Sequence, residues 1–245
     1  MKRIIALFSI LIFSGCSISG DCVQSAGNVE VRQIAATPFQ KIMVFPGISL
    51  VVKQDSDYQV SIRAGSNFIG DIEAKIENNM LILRDNSGCN WVRDYGNTVV
   101  YVTAPDLVEI YSNTDRAITS DGTLTFPILR LYAMDVFGGV GTGDFHLDVN
   151  NQQLVVESNN IAAFYITGQS GQLLLHFYDD LGRFEGANFL VNDIEVFQRS
   201  SNDMIVHPLE SLSGDIYSTG NVISKTHPPT VNVNQHYTGH LIYDF

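Results

Sequence analysis

Most of the chain alternates apolar and polar side chains in short runs. "YQVSIRA" (Tyr58 to Ala64) sets Val60 and Ile62 on one face and Gln59, Ser61 and Arg63 on the other, the period-two pattern of a half-buried strand. "IEAKIENNMLILRD" reads as two strands that reverse at Asn78-Asn79, and "NTVVYVTAPDL" as a strand halted by Pro105. No long window spaces its apolar positions for a capped helix; Ser66 to Ile72 has room for one helical turn.

From Leu107 the pattern repeats. Strand starts align at "LVEIYSN" (107), "ILRLYAM" (128), "QLVVESN" (153), "QLLLHFY" (172), "NDIEVFQ" (192) and "LSGDIYS" (212), in steps of 21, 25, 19, 20 and 20 residues. Between them lie secondary strands such as "FHLDV", "AAFYITG" and "DMIVHPLE". A period near 20 with two or three strands per copy calls for stacked coils, each pairing its backbone with the next. The predicted fold is therefore all-β: a right-handed parallel β-helix (β-solenoid) with an irregular, strand-rich N-terminal part. An antiparallel sandwich would show hairpin turns but has no reason to hold a constant period. Leu154 and Val156, Leu173 and Leu175, Ile194 and Val196 are the expected inward stacks. Corners need a left-handed residue or a side-chain bond to backbone. The Ser, Asn and Gly that close "VEIYSNT", "VVESNN", "VFQRSSN" and "DIYSTGN" can supply either.

The first residues depart from this pattern. "MKRIIALFSILIFSGC" has a basic start and an apolar run from Ile4 to Phe13. Ten helical residues rise only about 15 Å, half a bilayer core, so the run reads as a signal peptide rather than a span. Phe13-Ser14-Gly15-Cys16 resembles a bacterial lipobox, which makes Cys16 the expected lipidation site. An ordinary secretory signal with a Cys near its cleavage site is the alternative. The expected organisation is a signal peptide over 1–15, the lipidated Cys and a tether over 16–35, and one solenoid domain over 36–245. That domain divides into a strand-rich part (36–106) and regular rungs (107–245). Ser17, where an Asp would direct inner-membrane retention, favours the outer membrane, on its periplasmic or its surface face. Cys22 and Cys89 remain as a candidate disulfide that would pin the tether to the body.

Loss of residues 1–15 leaves 12 basic against 26 acidic residues, a net charge of −14. Such a body repels nucleic acid, which is excluded as a partner. Expected partners are the membrane, through the anchor, and a glycan or another envelope protein.

The layout resembles the bacterial family of putative auto-transporter adhesins, head GIN domain. The stretches that carry it are "FQKIMVFPGISLVVKQDSDYQVSIRA", "NNMLILRD", "VVYVTAPDLVEIYSN" and "LSGDIYSTGNVISKTHPPTVN". The family tends to place Gly after the Ser of each rung end, where this chain has Asn113, Asn159 and Asn202. The resemblance implies a right-handed parallel β-helix on a secreted or lipid-anchored protein.

Candidate chemistry is sparse. "GGVGTGD" (Gly138 to Asp144) resembles a single calcium-binding β-roll repeat, but its Asp is displaced by one residue and no tandem copy exists to share an ion. His176 with Asp179 and Asp180 could form a cluster on an outward corner, although alternation sets Asp179 opposite the other two. Phe164-Tyr165 and Phe177-Tyr178 must each send one ring outward, which allows a sugar-binding strip as well as stacking inside the coil. His236 and His240 are too far apart on a strand to share a metal ion, and no nucleophile elbow, P-loop or cofactor motif is present. The expected function is a non-enzymatic scaffold or adhesin-like binding module of the envelope. The alternatives are a carbohydrate-active β-helix enzyme, a lyase or glycosidase, and a plain structural spacer. Charged groups converging in an outward groove would favour the enzyme; scattered hydroxyls, amides and rings would favour binding.

Overall fold

The computed structural model describes residues 25–87, 98–135, 141–179 and 181–245, and contains no helix among them. In chain order, β1 (Val29–Ile34) precedes β2 (Lys41–Val44) and β3 (Ser49–Gln54). β4 (Gln59–Gly65), β5 (Ile72–Glu77) and β6 (Met80–Asp85) lead to β7 (Val99–Ala104). Next come β8 (Glu109–Ser112), β9 (Ile118–Leu124) and β10 (Ile128–Ala133). Four long strands follow: β11 (Phe145–Ser158), β12 (Ala163–Phe177), β13 (Arg183–Gln198) and β14 (Met204–Ile216). β15 (Val222–Ser224), β16 (Thr230–Gln235) and β17 (Leu241–Tyr243) close the chain.

These strands stack into two parallel ladders, and the parallel β-solenoid expected from the repeat is the fold. The first ladder runs β7–β3–β9 and then through the N-terminal halves of β11 to β14 to β15 and β17. The second runs β6–β2–β8–β10 and then through the C-terminal halves of β11 to β14 to β16. Each long strand therefore begins in one ladder, bends, and finishes in the other. Neighbouring coils lie about 4.8 Å apart, one strand spacing.

Inward residues fall in register and stack along the coil axis. One column runs Ile118, Phe145, Phe164, Phe184, Met204, Val222, with all six side chains sealed from solvent. Phe145 and Phe164 lie 4.7 Å apart and nearly parallel. The six residues expected as inward stacks are all buried. Each such side chain contributes about 1.5–3 kcal/mol.

The N-terminal part is less irregular than expected, because β2 and β3 already form a coil in register with β8 and β9. The irregularity lies in the strands that cover that end. β1 and β7 flank β4 antiparallel, and β5 folds back antiparallel on β6. Antiparallel neighbours satisfy an end coil whose N–H and C=O groups would otherwise stay unpaired. Val29–Ile34, placed in the tether by the sequence reading, belongs to this cap. The reversal at Asn78-Asn79 is a tight turn with both residues left-handed, at φ 49° and 65°. Ser66 to Ile72 makes a single turn, with the Phe68 and Ile69 amides both donating to the Gly65 carbonyl.

Of the two corner devices open to the sequence, a left-handed residue or a side-chain bond to backbone, the corners at Asn113, Asn159 and Asn202 use the second. None of the three has positive φ. A buried hydroxyl accepts the amide two residues on instead: Thr114 from Arg116, Ser158 from Asn160 and Ser200 from Asn202, each at 3.1 Å. That bond makes the bend without a left-handed residue, so glycine is not needed there.

Two strand starts also shift. Gln172 pairs with Asp193 and Asp193 with Ser211, so the alignments at 192 and 212 are each off by one. Extra residues in β13 between Glu185 and Leu190, and one in β14 before Ser211, change the spacing while the apolar alternation continues.

Candidate functional site

Outward side chains of the second ladder form the site. On β12, Leu173, Leu175 and Phe177 point inward and are buried, so His176 and then Tyr178 face out. On β13, Ile194 and Val196 point inward while Glu195 and Phe197 face out. On β14, Ser213 and Asp215 face out opposite them. The register sets Phe197 beside His176 on one side and Asp215 on the other.

Together they enclose a cleft of about 350 Å³. The backbone of Gly214 and Val196 forms its floor. Phe197 is the central ring, tilted 46° to Tyr178 at 5.7 Å and 49° to Tyr217 at 5.3 Å, with His176 edge-on at 6.4 Å. Rings so tilted do not cover one another's faces as parallel rings would. The cleft opens here because Ser213 is small where the preceding coil carries the outward Glu195.

Its polar groups are partly engaged. His176 Nε2 is buried without a hydrogen bond, and Glu195 Oε1 lies 3.5 Å away. Asp215 Oδ1 accepts from Asn234 Nδ2 at 3.2 Å and lies 2.7 Å from His236 Nε2. The His236 bond is the largest cause that holds the Asp215 carboxyl below its ordinary range. The Tyr178 hydroxyl donates to Glu157 at 3.3 Å; burial, then that carboxylate, pushes its ionisation up. Among the described residues no group of three or more His, Cys, Asp or Glu is arranged to hold a metal ion.

A second groove of about 240 Å³ sits at the bend between the ladders. Amides and hydroxyls line it in rows: Gln169 donates to Asn150 at 3.1 Å and Ser170 to Asn151 at 2.7 Å. Half-exposed Leu190 and Leu209 border it.

The family's sequence pattern, described as putative auto-transporter adhesin, head GIN domain, matches residues 38–228. The chain belongs to this family. A search of the curated proteins finds no match. Among solved structures, this head GIN domain protein is similar to a putative adhesin from Bacteroides fragilis, with TM-score 0.80 and 19% identity over 90% of this chain and 100% of that one. A putative adhesin from Parabacteroides distasonis aligns with TM-score 0.66 and 14% identity over 90% of this chain and 99% of that one. A protein of the same organism, described as a putative lipid binding protein, aligns with TM-score 0.63 and 12% identity over 88% and 97%. At these identities the likeness is one of fold.

Within this head GIN domain the residues singled out in the sequence scatter. Phe164 and Phe177 are fully buried and offer a ligand nothing, because each is the inward member of its pair. Tyr165 is exposed on the first ladder, stacked on His146 at 4.6 Å, away from the cleft. His176 and Tyr178 do meet in the cleft. Asp179 is exposed at the corner and does not line it, so His176 works with Glu195 and Asp215 rather than with its sequence neighbours. Asp180, Cys16, Cys22, Cys89 and the first half of "GGVGTGD" lie outside the described residues. Asp144, from its second half, accepts the Ala163 amide at 3.1 Å and helps build a corner. Glu195, Phe197, Ser213 and Asp215 carry no motif in the sequence that singles them out. An alignment of the repeats correct to one residue would have put Glu157, His176, Phe197, Asp215 and Asn234 in one outward column.

Proposed function

We propose that this chain is a non-enzymatic, adhesin-like binding module, lipid-anchored at Cys16 in the cell envelope, that takes a glycan in the cleft between β12, β13 and β14. The carrying observation is the ring of Phe197, tilted between Tyr178 and Tyr217 over a cleft that also presents Ser213, Glu195 and Asp215. A pyranose packs its apolar face on such a ring while carboxylate and hydroxyl oxygens take its hydroxyls. The family description and the adhesin names of two structural neighbours support the adhesin-like part of this reading.

The convergence of His176, Glu195 and Asp215 favours the enzyme alternative. Against it, a glycosidic proton donor needs a raised carboxyl pKa, and Asp215 is moved the other way by its bond to His236.

A glycan array probed with the chain from Ser17, which keeps every described strand, tests the reading. Binding should fall about tenfold or more in Phe197→Ala. Loss of no binding in that variant, or turnover of any bound polysaccharide, would sink the proposal. For the anchor, Cys16→Ala should move the full chain from the membrane to the soluble fraction.

A further inference from the structure

Given the glycan reading of the cleft, on which this step rests, we infer that the ligand is an amino sugar with a free ammonium group, held between Glu195 and Asp215 over the ring of Phe197. Three observations carry it.

The first is charge. Glu195 and Asp215 both line the cleft, and among the described residues no Lys or Arg does. Arg199, two residues beyond Phe197, is exposed but not among the lining residues. Other cations on nearby coils are committed elsewhere, Arg183 to Glu185 and Lys225 to Asp244. With a body at −14 after signal removal, a uronate or sulfated glycan would meet two carboxylates and no fixed positive charge here, the imidazoles of His176 and His236 each lying against one of those carboxylates.

The second is the carboxylates' capacity. Glu195 is 55% exposed, and its nearest ionic neighbour is His176 at 3.5 Å. Both hydrogen bonds to Asp215 fall on Oδ1, and Oδ2 takes neither. Because Asp215 is held ionised below the usual carboxylate range, it keeps its charge at the mildly acidic pH where sugar amines are protonated.

The third is the ring geometry. Three aromatic rings at 46° and 49° to one another form an open corner rather than a stack, and negative ring faces beside carboxylates are the surroundings an ammonium prefers. A neutral sugar would gain from the rings and from hydrogen bonds but not from the carboxylates' charge; an acidic one would be repelled by both carboxylates.

The test is calorimetric titration of the chain from Ser17 with glucosamine hexamer, its N-acetylated counterpart and a uronate hexamer, at mildly acidic pH. The glucosamine hexamer should bind about tenfold more tightly than the acetylated one, and the uronate not measurably. In Glu195→Gln, an exposed change expected to leave the unfolding midpoint in place, that ratio should collapse toward one. Equal or tighter binding of the acetylated hexamer would overturn the charge selection and leave the glycan reading standing. If no oligosaccharide binds while a lysine-rich peptide does, both fall.

Discussion

His236 lies flat on Tyr217, with ring centroids 4.2 Å apart and planes 6° from parallel. The stack fastens β16 to the end of β14, and the same imidazole reaches Asp215 at 2.7 Å. Stack and hydrogen bond thus hold the outer edge of the cleft together.

An acid dependence follows from Asp215. Its folded-state pKa is depressed, chiefly by the His236 bond and further by Asn234. A depressed carboxylate contributes stability that is whole above its ordinary pKa, about 4, and is lost as pH falls through the lower folded value. The unfolding midpoint should therefore drop more steeply below pH about 4 in the wild type than in Asp215→Asn. Parallel acid limbs in the two proteins would show that the contact carries no stability.

At the alkaline end, Tyr111 plays the converse part. Burial, and then its hydrogen bond to Glu109 at 2.8 Å, push its ionisation well above the ordinary phenol value. A raised phenol pKa leaves stability whole below about 10 and drains it as pH climbs beyond that. Tyr111→Phe should flatten that alkaline loss, and absorbance titration should find Tyr111 and Tyr178 among the last tyrosines to ionise. Early ionisation of all tyrosines in the folded state would contradict it.

Much of the fold was legible in the chain. Leu154, Val156, Leu173 and Leu175 follow directly from a period of two repeated every coil, and the structure stacks them as that period requires. The corners were legible as corners, but their bond was not. Ser and Asn suit both a left-handed bend and a hydroxyl-to-amide bend, and only coordinates separate the two. The cleft was least legible. It combines residues from three coils, and its composition depends on a register exact to one residue, since a single slip turns every side chain to the opposite face. Bulges in β13 and β14 hide that slip, because an added residue leaves the run apolar and polar by turns.

The paired aromatics give a contrast of burial at adjacent positions. Phe164 is sealed between Phe145 and Phe184, whereas Tyr165 is 39% exposed. Phe164→Ala should cost about 3–5 kcal/mol in urea denaturation, and Tyr165→Ala under about 1 kcal/mol. Similar losses at both positions would contradict the assigned faces.

Two glycines separate backbone strain from steric closeness. Gly122 has φ 86° and open space where a Cβ would go. Gly214 has φ 127°, and a Cβ there would sit 1.9 Å from the Val196 carbonyl oxygen in the cleft floor. Alanine at 122 has only the left-handed backbone to oppose it, about 1–2 kcal/mol. Alanine at 214 adds a contact no real Cβ tolerates, so β13 and β14 must part, at a cost of about 3 kcal/mol or more. That parting would also reshape the floor beneath Phe197, so Gly214→Ala should lose glycan binding even at temperatures where it stays folded, while Gly122→Ala binds as wild type. Urea denaturation and calorimetric titration of the two variants side by side check both halves. Equal destabilisation would mean that φ alone sets the requirement for glycine, and that β14 does not depend on its close approach to β13.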